Sequence, residues 1–558
     1  MISAPFLTNV RRCAGHSAER SHPICFIRFR EVLFKMQEDL LKRMGQLMVF
    51  GFHGKRMTPE LKQMIHKYKL GNIILFSRNL EDPVQIRRLT GELQKEAKKA
   101  GHRYPLLICT DQENGAVRRL GSGSTEFPGS MLLGAAHNEK YTYEIARMTA
   151  EELKSVGINW NLAPVVDVNN NPLNPVICTR SFGANPQSVA RMGEAFMRGM
   201  QEGGIVPTLK HFPGHGDTGT DSHLDLPVIT HELSRLEQVE LVPFRHCISA
   251  GADVIMSAHI YFPVLEKQYG VPATLSRNIL TGLLRDRLRF QGVITTDCLE
   301  MKAIADRFGT ARGAVLALRA GADLVMVSHT YEKQMETLDR VERAMRDGEI
   351  DMQAMTQSLA RIDQLKKKYL NWNEALNIET ISVAALEKHR ESAERIYKEG
   401  ITLVKNNVLP LKPRARTLFI YSEKLFISKV EDQQNHLSVF ESIVRKVNPE
   451  ADVVKLEEPS FDRLLKNIKS RQENYQAIVA LTASLTENSR QIEIINQLHG
   501  TDHYPIVVIA GKSPYDIRFL PDVDAYLCTY DLNRTALNIA VRTLFGLENV
   551  SGSLPVRI

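Results

Sequence analysis

The sequence has no apolar run long enough to span a bilayer, no CxxC pair and no large excess of charge of one sign. The first absence argues against a membrane-spanning helix. Seven cysteines (Cys13, Cys25, Cys109, Cys178, Cys247, Cys298 and Cys528) are scattered through the chain. An odd number without paired spacing fits buried free thiols in a reducing compartment better than a disulfide framework. The 71 basic and 64 acidic residues leave a formal charge of +7. Residues 1–35 alone contribute +4, from six Arg/Lys against two Glu, so the remainder is nearly balanced. No basic stripe points to nucleic acid, and no partner membrane is expected. Residues 1–35 also lack the uninterrupted apolar core of a secretory signal and any clear periodicity. They are expected to be a disordered or dispensable extension ahead of Met36, where "MQEDLLKRMGQLMVFGF" opens a clean amphipathic pattern. A chain of 558 residues, 43% apolar and 24% charged, is long enough for more than one well-buried domain.

From Met36 to about Leu370, short apolar or β-branched runs alternate with amphipathic stretches. The runs are "QLMVFGF", "NIILF", "PLLICT", "INWNLAPVVD", "IVPTLK", "DVIMSAHI", "GVITTD" and "DLVMVS". Continuous rather than alternating hydrophobicity marks strands buried on both faces, as in a parallel sheet. Eight such runs with helical patterns between them predict a (β/α)8 barrel of the TIM type over residues 36–370. A charged linker is expected at 371–390. Beyond it "GITLVK", "TLFIYS", "ADVVKL", "AIVALTA", "PIVVIAG" and "AYLCTY" predict an αβα sandwich domain over 391–558. That second domain carries neither a GxGxxG nor a P-loop, so nothing supports a nucleotide site there, and no cofactor is expected.

Polar residues end many of the barrel runs: Asp111, Asp167, Lys210–His211, His259, Asp297 and His329. The C-terminal ends of barrel strands open onto one face, so these groups converge although they are far apart in sequence. The densest stretch is "KHFPGHGDTGTDSHLDLP", which starts at Lys210 and places three histidines and three aspartates among Pro213, Gly214, Gly216 and Gly219. That composition forbids a stable helix or central strand, so the segment is a loop. A solvated turn would not explain the ionisable neighbours. A metal site has nitrogens in His211, His215 and His223, but Pro213 and Gly214 interrupt the helical spacing of the first two, and no metal is assigned. In an extended segment Asp221 and His223 point to the same side, where a carboxylate sets the tautomer and basicity of an imidazole. Such a pair either shuttles protons or merely stiffens the loop.

The motif "KHFPGHGDTGTDSH" resembles the signature of bacterial β-N-acetylglucosaminidases of glycoside hydrolase family 3. The likeness extends to "TDQENGAVRRL", "NLAPVVDVNNNPLNPVICTRSFG", "MSAHI", "PATLS", "GVITTDCLEM" and the terminal "SGSLPVRI", and so covers nearly everything after Met36. The resemblance implies a retaining exo-acting enzyme. Asp297 would be the nucleophile, His223 the general acid–base and Asp221 its partner. Asp111, Arg119, Arg180, Lys210 and His211 would bind the hydroxyls and acetamido group of N-acetylglucosamine through charge-assisted hydrogen bonds. The implied substrate is a small carbohydrate, a peptidoglycan fragment or a chitin oligosaccharide, and recycling of such fragments implies a cytoplasmic location.

Three alternatives stand beside that reading. A neutral or cationic imidazole, unlike a carboxylate, does not repel phosphate, so phosphorolysis to a sugar 1-phosphate is open. A catalytically silent sugar binder is a second alternative, and a metal hydrolase a third; the acid–base reading predicts indifference to chelators. β-Glucosidases of the family usually draw the acid–base from the second domain and lack the "DSH" loop. Departures from the family pattern are Asn114–Gly115 for Gly-Gly, Ala116 where some members have Arg, and Cys298 after the nucleophile. Cys298 reads as a packed thiol, with no base assigned to it. Glu300 is expected in the first turn of the following helix. Asp217 and His215 are expected to steer the loop.

Overall fold

The computed structural model describes residues 38–221, 225–422, 431, 436–456, 460–470, 474–500 and 504–558. The expected extension 1–35 and His223 lie outside the described residues. The first domain is a parallel eight-stranded sheet curled into a barrel. Its strands are β1 (Met48–Phe50), β2 (Asn72–Ile74), β3 (Leu107–Thr110), β4 (Trp160–Asn161), β5 (Thr208–Phe212), β6 (Val254–Ser257), β7 (Val293–Cys298) and β8 (Leu324–Val327). The neighbour order is β4-β3-β2-β1-β8-β7-β6-β5. Parallel bridges Trp160–Val206 and Val165–Lys210 join the two ends. The strands are short and almost wholly buried, which is why they read as unbroken apolar runs.

The helices between the strands start where the sequence offers caps. Asp82 Oδ1 accepts from the backbone N–H of Val84 and Gln85 ahead of Pro83–Lys99, and Asn185 Oδ1 accepts from Ser188 ahead of Pro186–Glu202. Both helices carry proline at the first position, where its missing N–H costs nothing. Helix Met352–Tyr369 closes the N-terminal end of the barrel. There the buried Lys366 ammonium donates to Gln46 Oε1 and to the Gly71 carbonyl, each at 2.8 Å. The same end holds Asp323 between Arg285 and Arg361.

Among its described residues the second domain has six strands: β9 (Thr402–Asn406), β10 (Leu418–Tyr421), β11 (Asp452–Lys455), β12 (Ile478–Thr482), β13 (Ile506–Ala510) and β14 (Ala525–Cys528). Their order is β9-β14-β13-β12-β10-β11, parallel except for the antiparallel edge strand β9. The stretch 371–390 holds the short helix Trp372–Leu376 and the start of helix Val383–Gly400. One continuous apolar core runs through both domains. Across the junction Asn169 Nδ2 donates to Tyr515 Oη at 2.9 Å, and the Ser553 N–H donates to the Ala135 carbonyl at 3.0 Å. No described helix is long and apolar enough to cross a membrane.

Candidate active site

A cavity of about 580 Å³ opens at the C-terminal ends of the barrel strands. Its walls include Asp111, Arg119, Arg180, Lys210, His211 and Asp297, all expected at this face. They arrive from β5, β7 and the segments after β3 and β4.

The chain after β3 folds into a small antiparallel hairpin, Gln112–Asn114 with Val117–Arg118. Its turn needs two left-handed residues: Asn114 has φ 69° and Gly115 has φ 60°. Asparagine tolerates that conformation, so Asn114 in place of glycine keeps the turn. A Cβ on Gly115 would meet the Gly129 Cα at 2.8 Å, so glycine is required at the second position. Gln112 Oε1 accepts from the backbone N–H groups of Arg119 and Leu120, 3.0 Å each, which fixes the strand that presents Arg119.

Glu113, on the same hairpin, organises the cationic wall. Both its oxygens accept from Arg180 at 2.8 Å, and its Oε1 lies 2.7 Å from the Lys210 ammonium. Lys210 also donates to Asp111 Oδ1 at 2.8 Å, and Arg119 stands 4.0 Å from the other Asp111 oxygen. Burial alone would raise the Glu113 carboxyl, yet Arg180 and Lys210 hold it well below the ordinary carboxylate range. Burial likewise works against the Lys210 charge, and Asp111 and Glu113 more than offset it. Glu113 and Lys210 are thus fixed, fully formed charges.

Asp167, after β4, plays the corresponding part for the loop that follows β5. Its Oδ2 accepts from His211 Nδ1 at 2.7 Å, and its Oδ1 accepts from the His215 N–H at 2.7 Å and the His211 N–H at 3.2 Å. With Nδ1 donating, His211 Nε2 is left to accept from Arg180 Nη2, 3.5 Å away. Burial would raise Asp167, but the two histidines hold it low. Burial, reinforced by His211, pushes His215 down to about 4, so it is neutral at physiological pH.

The loop is held at several further points. His215 Nδ1 meets Thr218 Oγ1 at 2.8 Å, and Asn174 Nδ2 donates to the His215 carbonyl at 2.8 Å. Asp217 pairs with His231, and Asp225 with Arg307 at 2.9 Å. Gly216 passes so close to the loop after β4 that a Cβ there would sit 1.8 Å from the Val168 carbonyl oxygen. Most of the loop's ionisable residues are therefore engaged in holding it, as expected for Asp217 and His215. Asp221 is buried at the end of this framework, immediately before the segment containing His223.

Asp297 lines the cavity at the end of β7, where its Oδ1 accepts from the Cys298 N–H at 2.6 Å. His259 packs behind it rather than lining the cavity, donating from Nε2 to the Cys298 carbonyl at 3.0 Å. Burial pushes the Cys298 thiol up to about 12, which makes it a poor nucleophile. Glu300 departs from expectation. It lies in the turn before helix Lys302–Phe308, not within its first turn. Its carboxylate accepts from the N–H groups of His329 at 2.6 Å and Thr330 at 3.2 Å, ahead of helix Tyr331–Arg346, because those otherwise orphaned donors favour an anion.

Glu113 and Asp167 escaped selection as site residues from sequence, although Asp167 stood out as a strand end. The signal for Glu113 was its place two residues after Asp111, on a hairpin where alternate side chains share a face. Glu431 of the second domain also lines the cavity and pairs with Lys512 at 2.5 Å. Nothing in its local sequence indicates that position.

Residues 39–365 match the glycosyl hydrolase family 3 N-terminal domain. Over 386 residues the chain is 36% identical to beta-hexosaminidase A of Pseudoalteromonas piscicida, a match covering 65% of this chain and 64% of that protein. The structure superposes on a fungal multi-domain GH3 β-N-acetylglucosaminidase with a TM-score of 0.86 and 38% identity, covering 93% of this chain and 60% of that one. The chain thus spans somewhat less than two thirds of the length of these two relatives. A glycoside hydrolase family 3 β-N-acetylglucosaminidase from Paenibacillus sp. str. FPU-7 is matched nearly end to end: TM-score 0.85, 35% identity, 93% of this chain and 98% of that one. The described barrel, its second domain and these likenesses together establish that the chain belongs to glycoside hydrolase family 3.

Proposed function

We propose that the protein is a retaining exo-β-N-acetylglucosaminidase that removes terminal N-acetylglucosamine from peptidoglycan fragments or related glycosides. The observation that carries this reading is the convergence of Asp297 with Asp111, Arg119, Arg180, Lys210 and His211 on one cavity. Asp111 and the three cations are charged hydrogen-bonding groups suited to orienting a polar ring, and Glu113 fixes two of the cations, Arg180 and Lys210. Asp297 is the carboxylate at the cavity that attacks the anomeric carbon. As the C1–O bond breaks, the leaving oxygen takes a proton from His223, whose partner is Asp221. Water then gives its proton to neutral His223 and attacks C1, releasing Asp297 and a sugar that keeps the β configuration. The five described cysteines are all free thiols, which supports a reducing, cytoplasmic setting.

The test is turnover of an aryl β-N-acetylglucosaminide with and without phosphate, followed by NMR of the product. Free sugar formed first as the β-anomer, at equal rates in both buffers, is expected. Sugar 1-phosphate made faster as phosphate rises would replace hydrolysis with phosphorolysis. No turnover in either buffer would sink the enzymatic reading for this sugar.

A further inference from the structure

The wall of the cavity between β7 and β8 carries a group of side chains with no part in the scheme above. Cys298 ends β7, Glu300 follows two residues later, and His329 follows the end of β8. The two strands are parallel neighbours with Met326 opposite Cys298, so their ends hold these side chains together. One donor atom from each, the Cys298 sulfur, a Glu300 oxygen and a His329 ring nitrogen, all lie within 4.8 Å of one another. All three line the same cavity as Asp297. Ser328, between β8 and His329, lines it too. Its buried hydroxyl stands beside the Cys298 thiol.

Sulfur, imidazole nitrogen and carboxylate oxygen together suit a borderline-soft divalent ion such as zinc. Calcium and magnesium prefer oxygen alone. Zinc bonds of about 2.0–2.3 Å place tetrahedral ligands roughly 3.3–3.8 Å apart, so the three donors need to close by about an ångström. Glu300 is already fixed by two backbone N–H groups and keeps lone pairs to spare. The open side of the cavity leaves a fourth position for water, and the Ser328 hydroxyl is placed to hydrogen-bond a ligand. The Arg78 guanidinium lines the same wall and opposes a second cation, although it is held there by the carbonyls of Phe52 at 3.0 Å and Ser328 at 2.7 Å. Three protein ligands facing that charge make a site for a reversible visitor rather than a resident ion.

We propose that Cys298, Glu300 and His329 bind a zinc-class divalent cation within the substrate cavity, and that the ion inhibits the enzyme. On binding, the Cys298 S–H bond breaks, its proton passes to solvent and a sulfur–metal bond forms; nothing is oxidised or reduced. The ion would lie beside Asp297, whose oxygen accepts from the Cys298 N–H. A double positive charge there draws electron density from the carboxylate and occupies space the sugar needs. The binding stands on these side chains alone; the inhibition rests on the proposed glycosidase reading.

The experiment is titration of the full chain with cobalt(II), followed through its near-ultraviolet thiolate charge-transfer band, with zinc then added to displace it. A band saturating at one equivalent is expected. Cys298→Ser should abolish the band and weaken binding by about 100-fold or more, given that even an outer partner is typically worth roughly 10–100-fold. His329→Asn should keep the band and weaken binding by at least about tenfold. His223→Gly should change neither, which separates this site from the imidazoles of the loop after β5. A band that survives Cys298→Ser, or no saturable band at all, overturns the site. Zinc inhibition, measured against each variant's own untreated rate, should disappear in Cys298→Ser; inhibition that persists there overturns the second half of the proposal. Cobalt binding as expected in a protein that turns over no N-acetylglucosaminide would leave the site standing and remove the glycosidase reading.

Discussion

Arg180 grips Glu113 with two parallel hydrogen bonds of 2.8 Å, and both side chains are almost wholly buried. Glu113 is the common anion that keeps Arg180 and Lys210 side by side despite their like charge. Replacing it by alanine leaves two buried cations side by side, with Asp111 and Asp167 as the nearby anions. We expect Glu113→Ala to destabilise the barrel by about 3–5 kcal/mol, the range for breaking a buried pair from one side. Activity should fall by about 100-fold or more as the cationic wall shifts. Glu113→Gln, which keeps the shape and some hydrogen bonds, should lose less of both. Thermal melts and kcat/KM on an aryl glycoside check this, and a Glu113→Ala protein as stable and active as the parent would contradict it.

Gly216 bears on the site through contact alone. Its backbone lies against the Val168 carbonyl, between His215, whose N–H holds Asp167, and Asp217, which holds His231. A methyl group at this point has to push one of the two loops aside. Gly216→Ala should destabilise by about 1–3 kcal/mol, as overpacking does. It should also lower kcat/KM by roughly ten- to a hundredfold, because the displaced loop is the one that carries Asp221 and His223. Unchanged kinetics with lowered stability would mean that the position of this loop does not limit turnover.

Both sheets were legible in the sequence because most of their strands are buried on both faces, and every strand lies in or overlaps one of the apolar runs, such as "PLLICT" or "PIVVIAG". The convergence of Asp111, Lys210 and Asp297 was legible for a related reason, since a polar residue ending a barrel strand has only one face to open onto. The hairpin at Gln112–Arg118 was not, because its strands are too short and polar to show a period. Nor was the Glu113–Arg180 pair, whose members stand 67 residues apart and meet only once the loops after β3 and β4 are folded together. Glu300 was misplaced by counting along a helix that begins two residues later. Its attraction to the N–H groups at the start of helix Tyr331–Arg346 is a tertiary fact with no local signature.

His215 makes stability depend on pH in a defined window. Its folded value, about 4, lies below the ordinary 6.5, so between these values the unfolded chain binds the proton more readily. The stabilisation is fully present above about pH 6.5 and is lost as pH falls towards 4. A shift of this size corresponds to an upper limit of about 3 kcal/mol. Urea unfolding at pH 7 and at pH 4.5 should therefore show a smaller difference in His215→Asn than in the parent. An identical difference would mean that His215 is protonated in the folded state as easily as in the unfolded chain.

The roles proposed for His223 and Asp297 are separable by leaving group. A linked sugar leaves as a poor alkoxide and needs a proton in the transition state, whereas an activated aryl oxide leaves without one. His223→Gly should slow a natural linkage by about 10²–10⁴-fold, the usual worth of a positioned acid, and slow formation of the Asp297 ester from the aryl substrate far less. Water attack on that ester still lacks its base, so the aryl reaction should show a burst followed by a slow steady rate. Azide, which attacks without needing a base, should restore the steady rate and yield a β-glycosyl azide. Asp297→Ala should abolish both reactions, with no burst and no rescue. Equal losses on both substrates in His223→Gly, with azide having no effect, would remove the histidine from proton transfer and leave it a role in holding the loop.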